Sequence, residues 1–139
     1  MLVTTKGRYA LAALADLAAH AGQGAVPLRD VAARQGISEK YLESIVKSLA
    51  DASLVSGTRG KGGGYELARP ADETTVLEVL ECVEGDLAVA EDAEVGATGV
   101  QLRAAALFDE AQQAVESILS ATTVAELARG GDEGDYYVI

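Results

Sequence analysis

Between Thr58 and Leu67 the chain reads TRGKGGGYEL, two cations set among four glycines. Bare glycine backbone beside Arg59 and Lys61 is phosphate chemistry, and it serves either a bound nucleotide or the backbone of a nucleic acid. The spacing goes against the nucleotide. A P-loop needs Gly, four residues and then Gly-Lys-Ser/Thr, whereas Lys61 is followed by Gly62. A dinucleotide fingerprint begun at Gly60 wants glycine where Tyr65 stands, and both motifs require a helix after the loop, whereas the β-prone YEL follows. Elsewhere the reactive side chains are sparse. One histidine, His20, and one cysteine, Cys82, leave no nucleophile–base pair and no metal-ligand set, so nothing nominates an enzyme.

The elements that must carry Arg59 and Lys61 follow from periodicity. From Thr4 to about Ala21, apolar Tyr9, Leu11, Leu14, Leu17 and Ala18 recur at helical spacing until Gly22 and Gly24 end the pattern. His20, near the end of that helix, is expected as a cap favoured by the helix dipole. Pro27 suits a first helical turn, and LRDVAARQ places Leu28, Val31 and Ala32 on one side before Gly36. Ser38 is an N-cap for a third helix that turns Leu42, Ile45, Val46 and Leu49 inward and leaves Glu39, Lys40, Glu43 and Lys47 outside. Two helices joined by the tight QGIS connection form a helix-turn-helix, whose second member can enter a DNA major groove. LVSGTR and YELAR, closed by the glycine run, then make a two-stranded ribbon. Beside a helix-turn-helix, such a ribbon is expected to be a wing lying along DNA backbone or minor groove.

Beyond Pro70, TTVLEVLECV is helical, with Val76, Leu77, Leu80 and Val83 as its apolar side. Residues 84–97 have no firm period and are expected as an acidic loop. The longest helix spans Thr98–Thr122, with a stripe of Leu102, Ala105, Phe108, Ala111, Val115, Ile118 and Leu119 that needs a partner surface. The same helix of a second subunit supplies one, so a two-fold homodimer is expected. TVAELARG adds a short last helix before the tail. The predicted fold class is mainly α with a small two-stranded wing. Residues 1–70 are the winged helix-turn-helix domain, 71–129 the linker and dimerisation helices, and 130–139 a C-terminal tail.

Charge divides at the same place. Residues 1–70 carry nine lysines and arginines against six acids, net +3, while 71–139 carry two against sixteen, net −14, within an overall −11. Salt screens the acidic half beyond about 10 Å, so a basic front remains able to meet DNA. The lone cysteine precludes an internal disulfide, and MLVTTKGRYA lacks the build of a secretory signal. A cytoplasmic protein is expected.

TTKGRYALAALADLA, ISEKYLESIVKSLADASLV and RGKGGGYELARP, in this order and spacing, resemble the Rrf-two family of bacterial winged-helix regulators. The resemblance implies a homodimeric transcription factor, in its repressor form, gripping a pseudo-palindromic operator on double-stranded DNA. Carried over by position, it puts Ser38, Lys40, Tyr41 and Glu43 on the recognition helix, Arg59 on the wing with Lys61 beside it, and Lys6 and Arg8 at the start of the first helix. Glu43 can accept from cytosine N4, Ser38 and Tyr41 can bond phosphates or base edges, and Lys40 can neutralise phosphate. Lys6 with the free amides there is expected to attract another phosphate.

Cluster-binding members of that family place three cysteines in the segment before the dimer helix, and here residues 84–97 contain none. With only Cys82 and His20 against the roughly four ligands a cluster needs, no cofactor is expected. Cys82 is expected as a structural thiol on an apolar helix side. The ending TTVAELARGGDEGDYYVI is similar to the cluster-free CymR type, for which the family implies control of cysteine metabolism and a complex with cysteine synthase. Tyr137, Val138 and Ile139 are accordingly candidates for docking into that enzyme. Two alternatives stand beside this: a winged-helix protein-interaction module, and a redox or iron-sulfur sensor using Cys82.

Overall fold

The computed structural model describes residues 1–131, which form six α-helices, a short 3-10 helix (Ala71–Glu73) and a two-stranded ribbon. The order is α1 (Thr5–Ala19), α2 (Leu28–Gln35), α3 (Glu39–Asp51), β1 (Val55–Thr58), β2 (Gly64–Leu67), α4 (Val76–Glu84), α5 (Val100–Ala121) and α6 (Val124–Gly131). The expected helical fold with a small wing is the one observed.

α1 is the hub. Its buried face combines small Gly7, Ala10 and Ala13 with Leu14 and Leu17, and α2, α3, α4 and α6 all pack against it. α2 follows Pro27 and stops at Gly36, which takes φ 67°, a left-handed value that glycine adopts freely. Ser38 then caps α3, its Oγ accepting the Tyr41 N–H at 3.2 Å. The four inward residues of α3 are enclosed as their spacing requires: Leu42, Ile45 and Leu49 at 0% exposure and Val46 at 1%. Burial on that scale contributes about 1.5–3 kcal/mol per side chain, which fixes the face of α3 left to solvent.

β1 and β2 pair antiparallel from Val55 opposite Leu67 to Thr58 opposite Gly64. The ribbon is tied to the segment before α2 by two backbone bonds, Val26 N–H to Tyr65 O and Tyr65 N–H to Val26 O, both 2.9 Å. Gly64 permits this approach. A Cβ there would lie 2.2 Å from the Val26 carbonyl oxygen, and its φ of 154° also disfavours other residues.

α4 begins where Thr75 Oγ1 accepts the Glu78 N–H at 3.1 Å. Val76, Leu80 and Val83 are buried as expected, but the fully enclosed residue is Val79, and Leu77 is only partly covered. The reason is that α4 lies between α1 and α5 and needs apolar residues on two sides. α6 returns to the hub: Val76 N–H bonds Thr122 O and Val124 N–H bonds Thr74 O, each at 2.9 Å. Val124, Val79 and Val83 thereby join the cluster that contains Leu14 and Leu42, so one core spans residues on both sides of Pro70. α5 differs from the rest. None of its residues is buried, and Leu102, Leu107, Phe108 and Ile118 are 50%, 60%, 45% and 67% exposed.

Candidate nucleic-acid interface

The outer face of α3 and the wing meet at one cleft. Glu39 and Glu43 from α3, Arg29 from the first turn of α2, and Thr58 and Arg59 from the ribbon line a hollow of about 470 Å³. Its floor includes Gly63 and Gly64, where a Cβ on Gly63 would sit 2.4 Å from the Thr58 carbonyl oxygen. The structure therefore brings together Glu43 and Arg59, two residues picked out separately in the sequence. Ser38, Lys40 and Tyr41 are exposed on the first turn of the same helix, and Lys61 is exposed at the ribbon tip. Tyr41 also meets Tyr9 of α1 edge-on, ring centroids 5.6 Å apart at 68°, which aims its hydroxyl end while leaving it partly exposed. Arg8 is exposed and Lys6 half-buried at the start of α1.

At the start of α1, where Lys6 and Arg8 stand, the Glu84 carboxylate takes up the Thr4 amide and hydroxyl. Thr4 N–H donates to Glu84 Oε2, and Thr4 Oγ1 donates to Oε1 at 2.8 Å. Gly7 makes room, since a Cβ there would be 2.9 Å from Glu84 Oε2. A carboxylate at the positive end of a helix is the same electrostatics as a phosphate, supplied from within the chain. The partners are 80 positions apart, which hid the contact from the sequence.

Sequence reasoning missed two parts of the site. Arg29 reaches the cleft because the Val26–Tyr65 bridge pulls the start of α2 beside the ribbon, a long-range pairing with no local signal. Asp16 lies behind the helix-turn-helix with its side chain 2% exposed. Arg34 grips it with Nε to Oδ2 at 2.9 Å and Nη2 to Oδ1 at 2.7 Å, and Gln35 Nε2 adds a bond of 3.0 Å. Burial alone pushes this carboxyl up. The bonds from Arg34 and Gln35 and the fields of Arg34 and His20 outweigh that and hold it below the usual carboxylate range. Arg34 is thus occupied in joining α2 to α1. His20 is the C-cap residue of α1, and its Nδ1 lies 2.8 Å from the Asp16 carbonyl oxygen, which can only accept, so that nitrogen carries a hydrogen.

Cys82 is half-buried on α4, and its thiol donates to the Ser48 carbonyl of α3 at 3.4 Å. Burial pushes its pKa up, with Lys6 lowering it and Asp51 raising it. Tyr137, Val138 and Ile139 lie outside the described residues.

This arrangement has known relatives. Residues 3–130 match the Rrf2 family, "Iron-dependent Transcriptional regulator". The HTH-type transcriptional regulator IscR of Xenorhabdus nematophila is 38% identical over 131 residues, covering 93% of this chain and 80% of that protein. IscR of Photorhabdus laumondii is 49% identical over 84 residues, 60% of this chain and 51% of the relative, so that alignment spans about half of its length. Among solved structures, CymR (YrzC), the global cysteine regulator of B. subtilis, superposes with a TM-score of 0.78 at 32% identity, covering 93% of this chain and 97% of that one. T. potens IscR superposes with a TM-score of 0.77 at 31% identity, covering 100% and 94%. The chain belongs to the Rrf2 family of transcriptional regulators. No described helix is long and apolar enough to cross a membrane.

The family description names iron, and the donors present do not fit an iron-sulfur centre. Residues 84–97 hold no cysteine, the Cys82 thiol faces a carbonyl of α3, and the His20 ring is engaged at the far end of α1. Thiolate and imidazole donors number two in the chain against about four for a cluster.

Proposed function

We propose that this chain is a homodimeric repressor that grips a pseudo-palindromic operator, one helix-turn-helix and one wing per half-site, without an iron-sulfur cluster. The observation that carries this is the cleft lined both by Glu43 of α3 and by Arg59 of the wing. α3 enters the major groove with Ser38, Lys40, Tyr41 and Glu43 outward, and Arg59 and Lys61 lie on the adjoining backbone or minor groove. Lys6 and Arg8 neutralise flanking phosphate from the start of α1. Residues 1–70 do the binding, and 71–129 join two copies through the exposed apolar row of α5. The division is one of labour, since the core is shared. A mobility-shift titration on the DNA upstream of the gene tests it. Affinity should fall steeply with salt, the logarithmic slope being about −0.9 for each phosphate neutralised.

The signal is proposed to be cysteine supply, read through a complex of the tail residues Tyr137, Val138 and Ile139 with cysteine synthase. Similarity to CymR, a global cysteine regulator, supports this. Deleting Ile139 should abolish binding to the enzyme in a titration, and unchanged affinity removes the idea. A second reading has its own support, because the family description and the IscR relatives point to iron sensing, with Cys82 as the available thiol. The visible spectrum of anaerobically purified protein separates the two: colourless for the first, brown for the second.

A further inference from the structure

Between α4 and α5 runs a segment, 85–99, with no helix or strand of its own. Connections this long without regular structure are commonly functional. Most of it is exposed, but its first residues are tied down. Leu87 is 6% exposed and packs with Val76 and Leu80, with Leu119 of α5 against the same cluster. On the far side Gln112 of α5 treats the segment as a strand partner. Its Oε1 accepts the Val89 N–H at 2.6 Å, and its Nε2 donates to the Leu87 carbonyl at 3.2 Å and to Glu116 Oε1 at 3.1 Å. One amide side chain thus satisfies the backbone on both sides of Ala88, and Glu116 holds its orientation.

The position of this clamp gives it consequence. α4 contacts the recognition helix, with the Cys82 thiol on the Ser48 carbonyl of α3, while α5 carries the exposed apolar row. The strap 85–89 is the first part of the covalent link between the two, so holding the strap on α5 bears on the angle of α5 to the DNA-binding unit. We propose that Gln112 is a positioning residue: by clamping Leu87 and Val89 to α5 it sets the separation of the two recognition helices, and so the half-site spacing the dimer accepts. This rests on the dimeric reading of α5. Two glutamine–backbone bonds bridging two elements suit that task better than packing alone, because they have one register, whereas Leu87 in its cluster can slide. Segment 84–97 carries no cysteine to be organised by metal, and the clamp provides the order from the chain itself.

The test uses the full chain and Gln112→Ala and Gln112→Met, the latter keeping the bulk and losing both bonds. Affinity is measured by fluorescence anisotropy for the footprinted fragment upstream of its own gene, for that fragment with one protected half replaced, and for versions lengthened by one and two base pairs between halves. Hydrogen exchange at the Val89 amide and the dimer mass are measured in parallel. Both variants should exchange Val89 faster, remain dimeric, bind the single half as before, and lose about tenfold on the complete operator, the factor that loss of one to two net hydrogen bonds implies. They should also discriminate less between spacings. Variants that exchange faster yet keep the wild-type preference for the complete, correctly spaced operator overturn the inference and leave the dimeric reading intact. So does an unprotected Val89 amide in the wild type. A wild type that binds the single half as tightly as the complete operator overturns the dimeric reading, and the inference with it.

Discussion

Removing Asp16 isolates what holds the helix-turn-helix to its support. The carboxylate is 2% exposed and receives three bonds, two from Arg34 at 2.9 and 2.7 Å and one from Gln35 at 3.0 Å. In a fully buried pair, loss of one partner costs about 3–5 kcal/mol because the other charge is stranded. Here Arg34 is 39% exposed and can turn to water, so Asp16→Ala should cost less, about 2–3 kcal/mol, the range of charge-assisted bonds. That lowers Tm by roughly 8–12 °C for a chain of this size. A double-mutant cycle with Arg34→Ala should return a coupling of about 1–2 kcal/mol, since the two side chains share their bonds. The pH dependence follows from the depressed pKa. The native carboxylate binds protons less readily than the unfolded one, so its stabilisation is complete above the ordinary value of 3.8 and is lost as pH falls through the lower native value. The gap between wild type and Asp16→Ala should therefore be constant from pH 8 to 5 and shrink below about 4. Urea denaturation across that range measures it. A gap that persists undiminished at acid pH, or an additive cycle, refutes the assignment.

Other perturbations probe other links. Ser38→Ala removes the cap on α3 and should lower stability by about 0.5–2 kcal/mol in the same denaturation assay, with a matching loss of DNA affinity. Gly64→Ala places a Cβ 2.2 Å from the Val26 carbonyl oxygen, so the ribbon must leave its bridge, and calorimetry should show a fall of about 2–4 kcal/mol with loss of wing contacts to DNA. Arg59→Ala should reduce the salt slope of operator binding by about 2, roughly 0.9 from each of two copies, read from anisotropy between 50 and 200 mM salt. Ile118→Glu sets a carboxylate on a side chain 67% exposed in the single chain, and light scattering should find a dimer for the wild type and a monomer for the variant, with secondary structure unchanged by circular dichroism.

Much of this fold was written locally. Ser38, Gly36 and the four inward residues of α3 sit within a few positions of one another, and each acts through a rule of helix geometry that needs no distant partner. The wing was legible for the same reason, since the glycines lie between two short β-prone runs. What escaped involved pairs far apart. Asp16 looks like an ordinary helix acid until Arg34 is folded onto it, and Glu84 becomes the anion at the start of α1 only when α4 packs beside α1. The phase of α4 was misjudged because a helix with two apolar neighbours has no single face, and Val79 rather than Leu77 took the centre. Gln112 is a polar residue on a helix in the sequence. Its role depends on a strap more than twenty positions away. In the site, the cations were recognisable by type, and the cleft that joins Arg29, Glu43 and Arg59 was not, because a bridge between Val26 and Tyr65 creates it.

The central claim is that one duplex is held by two copies of this chain, each through α3 and its wing. Native mass spectrometry of the protein with a footprinted upstream fragment tests it directly. Two chains per duplex at 50 mM ammonium acetate, with the complex dissociating as salt rises, is the predicted outcome. A single chain per duplex, or no complex even at that low ionic strength, contradicts it.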